Sequence, residues 1–80
     1  MIAQQHVAGP LRNELASVIR EVNAVHAAAG APELPDLKTA WISLERNLRV
    51  AGASGDEVAA RRAIAAYRRD ALAAIEEAGR

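Results

Sequence analysis

The stretch that decides the fold class is residues 10–30, PLRNELASVIREVNAVHAAAG. Its larger apolar residues recur at steps of three and four, which places them within one arc of an α-helix. Pro10 suits the first helical position because its missing N–H leaves no hydrogen bond unmade. Gly30 is expected to end the helix in the left-handed conformation. The sequence therefore predicts a helix over about residues 10–29. Its apolar stripe consists of Leu11, Leu15, Val18, Ile19, Val22, Val25 and Ala29.

Residues 30–36, GAPELPD, separate this helix from the next. Pro32 and Pro35 lie three residues apart and forbid a continuous helix across the segment. Leu34, between them, is expected to pack against the bundle as a hydrophobic anchor. Pro35 and Asp36 then begin a second helix, where a carboxylate is favoured by the helix dipole. This helix is predicted over about residues 36–51, with an apolar stripe of Leu37, Ala40, Trp41, Leu44, Leu48 and Ala51.

A third helix is predicted over about residues 55–78, with Gly79 ending it. Ser54 and Glu57 have the spacing of a capping box, in which the serine oxygen accepts from the backbone N–H of the glutamate. Glu57 and Arg61 have the i,i+4 spacing of a favourable ion pair. The main apolar stripe of this helix consists of Ala60, Ile64, Tyr67, Ala71, Ala74, Ile75 and Ala78.

Three amphipathic helices with short connections predict a single all-α domain over residues 1–80, an antiparallel three-helix bundle that runs up, down and up. Residues 1–9 are mildly apolar without a long period, and we expect either a flexible arm or a short extra helical turn there. Roughly a quarter of the chain is alanine, with one Trp, one Tyr and no Phe. Alanine favours helices but buries little area. We therefore expect marginal monomer stability, or stability completed by self-association.

The charge balance and composition count against several classes of protein. Ten basic and ten acidic residues give a net charge of zero, whereas nucleic-acid-binding proteins normally carry a basic excess. No apolar run approaches the ~20 residues of a membrane-spanning helix. The chain has no cysteine, which removes disulfides and thiolate metal sites and is typical of a cytoplasmic protein.

No catalytic, cofactor-binding or metal-binding motif is present in the sequence. His6 and His26 are the only imidazoles, and neither has the i,i+4 partner or glutamate of a zinc motif. His26 is expected to be a partly buried histidine at a helix C-terminus, where its charged form would suit the dipole. The segment Gly52–Gly55 precedes a helix but lacks the lysine and the strand of a phosphate-binding loop. We therefore expect a protein that is not an enzyme and has no cofactor.

Two pairs of arginines stand out on the third helix, Arg61-Arg62 and Arg68-Arg69. They repeat at seven residues and so lie on one side of the helix. One interpretation is a ladder that grips phosphates or an acidic partner. The other is a solvated face whose charge is balanced by neighbouring carboxylates.

A second set of apolar residues lies beside these arginines. Val58, Ala65 and Leu72 recur every seven residues, and Ile42 and Val50 flank two further arginines of the second helix. Arginine next to apolar residues is typical of protein interfaces. A wider core stripe that includes Leu72 is the alternative.

The sequence therefore leads to two hypotheses for function. The first is a non-enzymatic module that self-associates or docks on a larger protein through its second and third helices. The second is a nucleic-acid-binding accessory protein that uses the arginine face of the third helix. The predicted partner-binding residues are Ile42, Arg46, Arg49, Val58, Arg61, Arg62, Leu72 and Arg69.

Overall fold

The computed structural model describes residues 9–80, and most of them lie in three α-helices with no strand among them. These are α1 (Gly9–Ala28), α2 (Pro35–Ser54) and α3 (Glu57–Ala78). The predicted all-α class is confirmed, although α2 ends three residues beyond the predicted position 51 and α3 begins two residues after position 55. The arm predicted for residues 1–9 falls, except for its last residue, outside the described part of the chain. None of the described helices is long and apolar enough to cross a bilayer.

Helix α3 is the central element of the bundle. It packs against both α1 and α2, most extensively against α2, whereas α1 and α2 make little contact with each other. Glu14 and Glu21 of α1 lie next to Arg61 and Arg68 of α3. Because the numbering rises by seven along both helices, α1 and α3 run parallel, and α2 runs antiparallel to α3 through the tight turn that joins them. The predicted up-down-up arrangement is confirmed.

The core is thin and depends on α3. Of the twelve buried apolar residues within the range 9–80, six belong to α3 and five are alanines. The most deeply buried large side chains are Val22 and Ile64. The predicted stripes mostly face this core, but Trp41 is 38% exposed and Val25 is 39% exposed. Because each alanine removes little apolar surface from water, the core gains less per residue than one built from leucine.

The end of α1 has the predicted geometry. Gly30 is left-handed, with a φ of +93°, and its N–H donates to the Ala27 carbonyl at 3.0 Å. The N–H of Ala31 donates to the His26 carbonyl at 2.8 Å, which completes a Schellman motif. His26 is partly buried, and its Nε2 donates to the carbonyl of Pro32 at 2.6 Å. The imidazole therefore braces the connection that follows α1.

The connection leads into α2 as predicted. Leu34 is partly buried and packs against the core, which confirms it as a hydrophobic anchor. Pro35 is the first residue of α2, and Asp36 follows in the first turn. Because proline lacks the N–H that would be unpaired at this position, the helix starts there without a side-chain cap.

The capping box predicted at Ser54 is wrong. α2 continues through Ser54, whose hydroxyl donates to the Val50 carbonyl at 3.1 Å, and Gly55 then ends the helix with a φ of +68°. Asp56 is the N-cap of α3, since its backbone is extended and its Oδ1 accepts from the Ala59 N–H at 2.9 Å. The left-handed turn at the glycine places the aspartate, rather than the serine, directly before the first turn of α3.

We predict that Asp56→Ala lowers the free energy of unfolding by about 1 kcal/mol, because it leaves an N-terminal N–H of α3 without its acceptor. Urea unfolding followed by far-UV circular dichroism measures the loss. The matched control is Ser54→Ala, which we expect to change stability by less than about 0.5 kcal/mol. A larger loss for the serine variant than for the aspartate variant would contradict this assignment of the cap.

Candidate interaction surfaces

The first arginine of each α3 pair faces α1. Arg61 Nε lies 3.8 Å from Glu14 Oε1. Arg68 donates through Nε and Nη2 to the two carboxylate oxygens of Glu21, at 2.8 Å and 2.7 Å. The predicted ion pair between Arg61 and Glu57 is wrong, because the guanidinium turns across the helix interface instead. These two arginines therefore join α3 to α1.

The bidentate pair changes the ionisation of its acid. The hydrogen bonds from Arg68, reinforced by its positive charge, hold the pKa of Glu21 below its ordinary value of 4.5. Both side chains are about half exposed, at 50% for the arginine and 41% for the glutamate. Solvent therefore screens the electrostatic attraction, and the ion pair depends mainly on the geometry of its two parallel hydrogen bonds.

The second arginine of each pair points away from α1. Arg69 Nε donates to Oδ1 of its neighbour Asp70 at 3.0 Å. Arg62 makes no ion pair with any residue of the described range 9–80. The four arginines of α3 therefore do not form one continuous ladder, and only Arg62 among them makes no ion pair with a described residue.

The second set of apolar residues, beside the arginines, also divides into exposed and partly buried members. Ile42, Val50 and Val58 are exposed, at 52%, 63% and 58%. Leu72, in contrast, is partly buried and packs against the core. The second set of apolar residues on α3 is therefore exposed at Val58, one turn before Arg62, and joins the core at Leu72.

One continuous surface combines several of the predicted residues. Ile42, Arg46 and Arg49 follow one another at steps of four and three on α2, and so lie on the same exposed face. Val50 follows Arg46 by four residues and, together with Arg62, lines a shallow depression of about 370 Å³ between α2 and α3. We call these five residues the α2 patch. None of its three arginines forms an ion pair within the described residues.

A cleft of about 920 Å³ between α1 and α2 is a feature that the sequence did not predict. It exists because both helices pack on α3 rather than on each other. Helical periodicity assigned Trp41 to the core, since it shows which way a residue faces but not whether a neighbour covers it. The indole instead lies open to the cleft and meets Tyr67 edge to face, with ring centroids 5.7 Å apart. The cleft is lined by Ile19, Asn23, His26, Pro32, Glu33, Leu34, Pro35, Leu37, Lys38, Trp41 and Tyr67.

Neither a metal site nor a relative identifies the chemistry of these surfaces. Among residues 9–80, no three His, Cys, Asp or Glu side chains lie close enough together to hold a metal ion, and His6 lies outside that range. The sequence matches no protein-family model, and no curated protein or solved structure matches the chain. The α2 patch and the cleft therefore carry the argument for function.

The pair between Glu21 and Arg68 predicts an acid dependence of stability. Because the folded-state pKa of the carboxyl lies below the unfolded one, its contribution is present above about pH 4.5 and is lost as the pH falls through the lowered pKa. We expect Glu21→Gln to melt below the native protein at neutral pH, and the gap to close in acid. Thermal unfolding across the pH range measures it. Glu45→Gln, at a carboxylate outside the described ion pairs, serves as the control, and an equal gap for both variants would contradict the role of the pair.

Leu72 and Val58 belong to the same set of apolar residues that recurs every seven positions, but they should contribute differently to the free energy of unfolding. We expect Leu72→Ala to lower the free energy of unfolding by about 2 kcal/mol, because it removes methyl groups that pack against the core. Val58→Ala should change it by less than about 0.5 kcal/mol, since that side chain is already exposed. Equal effects in urea unfolding would show that the two residues belong to one surface.

Proposed function

We propose that the protein is a non-enzymatic protein–protein interaction module that binds its partner through the α2 patch. The observation that carries this proposal is the combination of two exposed aliphatic side chains with three arginines that have no described ion-pair partner. Interfaces are enriched in arginine and have apolar centres. The partner is a surface with acidic groups around an apolar centre, either on a larger protein or on a second copy of this chain.

The distribution of charge supports a protein partner over nucleic acid. The net charge is zero, and Arg61 and Arg68 are engaged by glutamates of α1. A phosphate backbone is bound by several free cations in register, since affinity grows with the number of phosphates neutralised. The two apolar members of the patch, Ile42 and Val50, would add nothing to such contacts.

The thin core gives self-association a physical advantage. Five of the twelve buried apolar residues of the described chain are alanines, which bury little area each. Additional burial at an interface would therefore raise the stability of the folded state by mass action. The exposed Ile42 and Val50 are the side chains that such an interface would cover.

Crosslinking and sedimentation together test this proposal. A photoreactive amino acid in place of Val50 should crosslink in host cells to one partner or to a second copy. The same amino acid in place of Ala24, an exposed residue of α1, is the matched control for position. Sedimentation velocity over a concentration series then separates a self-associating protein from a monomer.

Charge reversal tests the patch itself. Arg46→Glu should weaken the complex by about tenfold or more, because it places like charges against the acidic partner. Arg20→Glu is the matched control, since it makes the same charge change at an exposed arginine of α1. Equal crosslinking from both positions, equal effects of both substitutions, or duplex DNA binding that weakens steeply with salt and is lost in Arg46→Glu would contradict the proposal.

A further inference from the structure

The cleft between α1 and α2 is bounded on three sides and at one end. Two helices form its walls, α3 forms its floor, and the connection over residues 29–34 closes one end. The hydrogen bond from His26 to the Pro32 carbonyl braces that closed end. A long partner helix lying along the cleft would run into this connection, so the shape favours a compact occupant.

The size and lining of the cleft are those of a small-molecule site. Such sites typically span about 300–1,000 Å³ and are mostly apolar with a few polar groups, and this one measures about 920 Å³. Ile19 and Leu37 supply aliphatic walls, and Trp41 presents a half-open aromatic face. Aromatic surface of this kind binds an apolar chain or ring.

The floor holds a polar group without a protein partner. Tyr67 is 6% exposed, yet within the described chain its hydroxyl makes no hydrogen bond and is not completely sealed from solvent. A phenol is protonated at neutral pH and can donate, and burial raises the pKa of this hydroxyl further. Because the hydroxyl is still open to solvent, water can accept its hydrogen bond, and a molecule in the cleft can take the place of that water.

The remaining polar side chains of the cleft are one cation, one amide and one acid. Lys38 lines the α2 wall and makes no ion pair within residues 9–80. Asn23 lines the opposite wall. Glu33, in the connection at the closed end, is the one acid in the lining. Lys38 lies on the α2 wall and Tyr67 on the α3 floor, whereas Glu33 lies in the connection at the closed end. An anion with an apolar body is therefore complementary to the wall and the floor, with its charge away from the acid.

We propose that the cleft binds a small amphiphilic carboxylate, with its apolar body between Ile19 and Trp41 and its carboxylate at the donors of Lys38 and Tyr67. This site is separate from the α2 patch, so the protein carries a ligand site in addition to its protein-binding surface. The ligand class covers medium-chain aliphatic acids and aromatic acids of similar length.

Fluorescence titration tests the site directly, because Trp41 is the only tryptophan of the chain. The probe is decanoate, and the control is decyltrimethylammonium, which has the same chain length and the opposite charge. We expect decanoate to shift the emission with saturation at one equivalent, and to bind about tenfold more tightly than the ammonium. Amide chemical-shift changes should be confined to the cleft.

Three variants separate the donors from general hydrophobic binding. Lys38→Gln and Tyr67→Phe should each weaken decanoate by about fivefold and leave the ammonium unchanged. Arg46→Gln, in the α2 patch, is the control that should not affect decanoate. Circular dichroism melts establish that each variant is folded. If the tyrosine variant does not fold, the lysine variant alone decides the test.

Several results would overturn this proposal. Unsaturable binding, or equal affinity for the two surfactants, would remove the carboxylate selectivity. An equal loss in Arg46→Gln would place the anion outside the cleft. Decanoate affinity that falls as protein concentration rises, together with a sedimenting dimer, would assign the cleft to a second copy. An acidic amphipathic peptide that binds the cleft while decanoate does not would assign it to a partner helix. None of these outcomes affects the test of the α2 patch.

Discussion

The packing of one helix against two neighbours is the constraint on which the rest of the structure depends. α3 supplies half of the buried residues, and three of its six are alanines at positions 60, 63 and 71. Small side chains let a helix approach its neighbours closely, so α3 can contact both α1 and α2. α1 and α2 make little contact with each other, and the space between them is the cleft. The cleft therefore follows from the packing of both helices on α3.

Much of this fold could be predicted from the sequence, because helix ends have local causes. Gly30 and Pro35 mark backbone conformations that depend on the residue itself, and both positions were predicted correctly. The junction between α2 and α3 was not, since Ser54 and Asp56 are both good caps. The choice between them depends on which glycine turns left-handed, and that is decided by the hydrogen bonds of the whole turn.

The surfaces were less predictable because they depend on neighbours. Periodicity placed Trp41 on the core stripe, yet the indole is 38% exposed. For Leu72 it left open a second surface or a wider core stripe, and the leucine packs against the core. It also could not show that Arg61 and Arg68 would pair with Glu14 and Glu21 of α1, each 47 residues earlier in the chain. An interaction across helices has no signature in the sequence of one helix. What the sequence did supply is the α2 stretch with two arginines between exposed aliphatic residues.

The unequal contacts of α3 also give the three helices different stabilities against local unfolding. α2 and α3 are joined by a short turn and pack extensively, whereas α1 is held by fewer contacts and by two half-exposed ion pairs. We therefore expect partial opening to release α1 first, so that its amide hydrogens exchange before those of α2 and α3. Because exposed charges are screened by salt, ionic strength adjusts how often this happens. Each opening event also removes one wall of the cleft, so occupancy of the cleft and closure of α1 are thermodynamically linked.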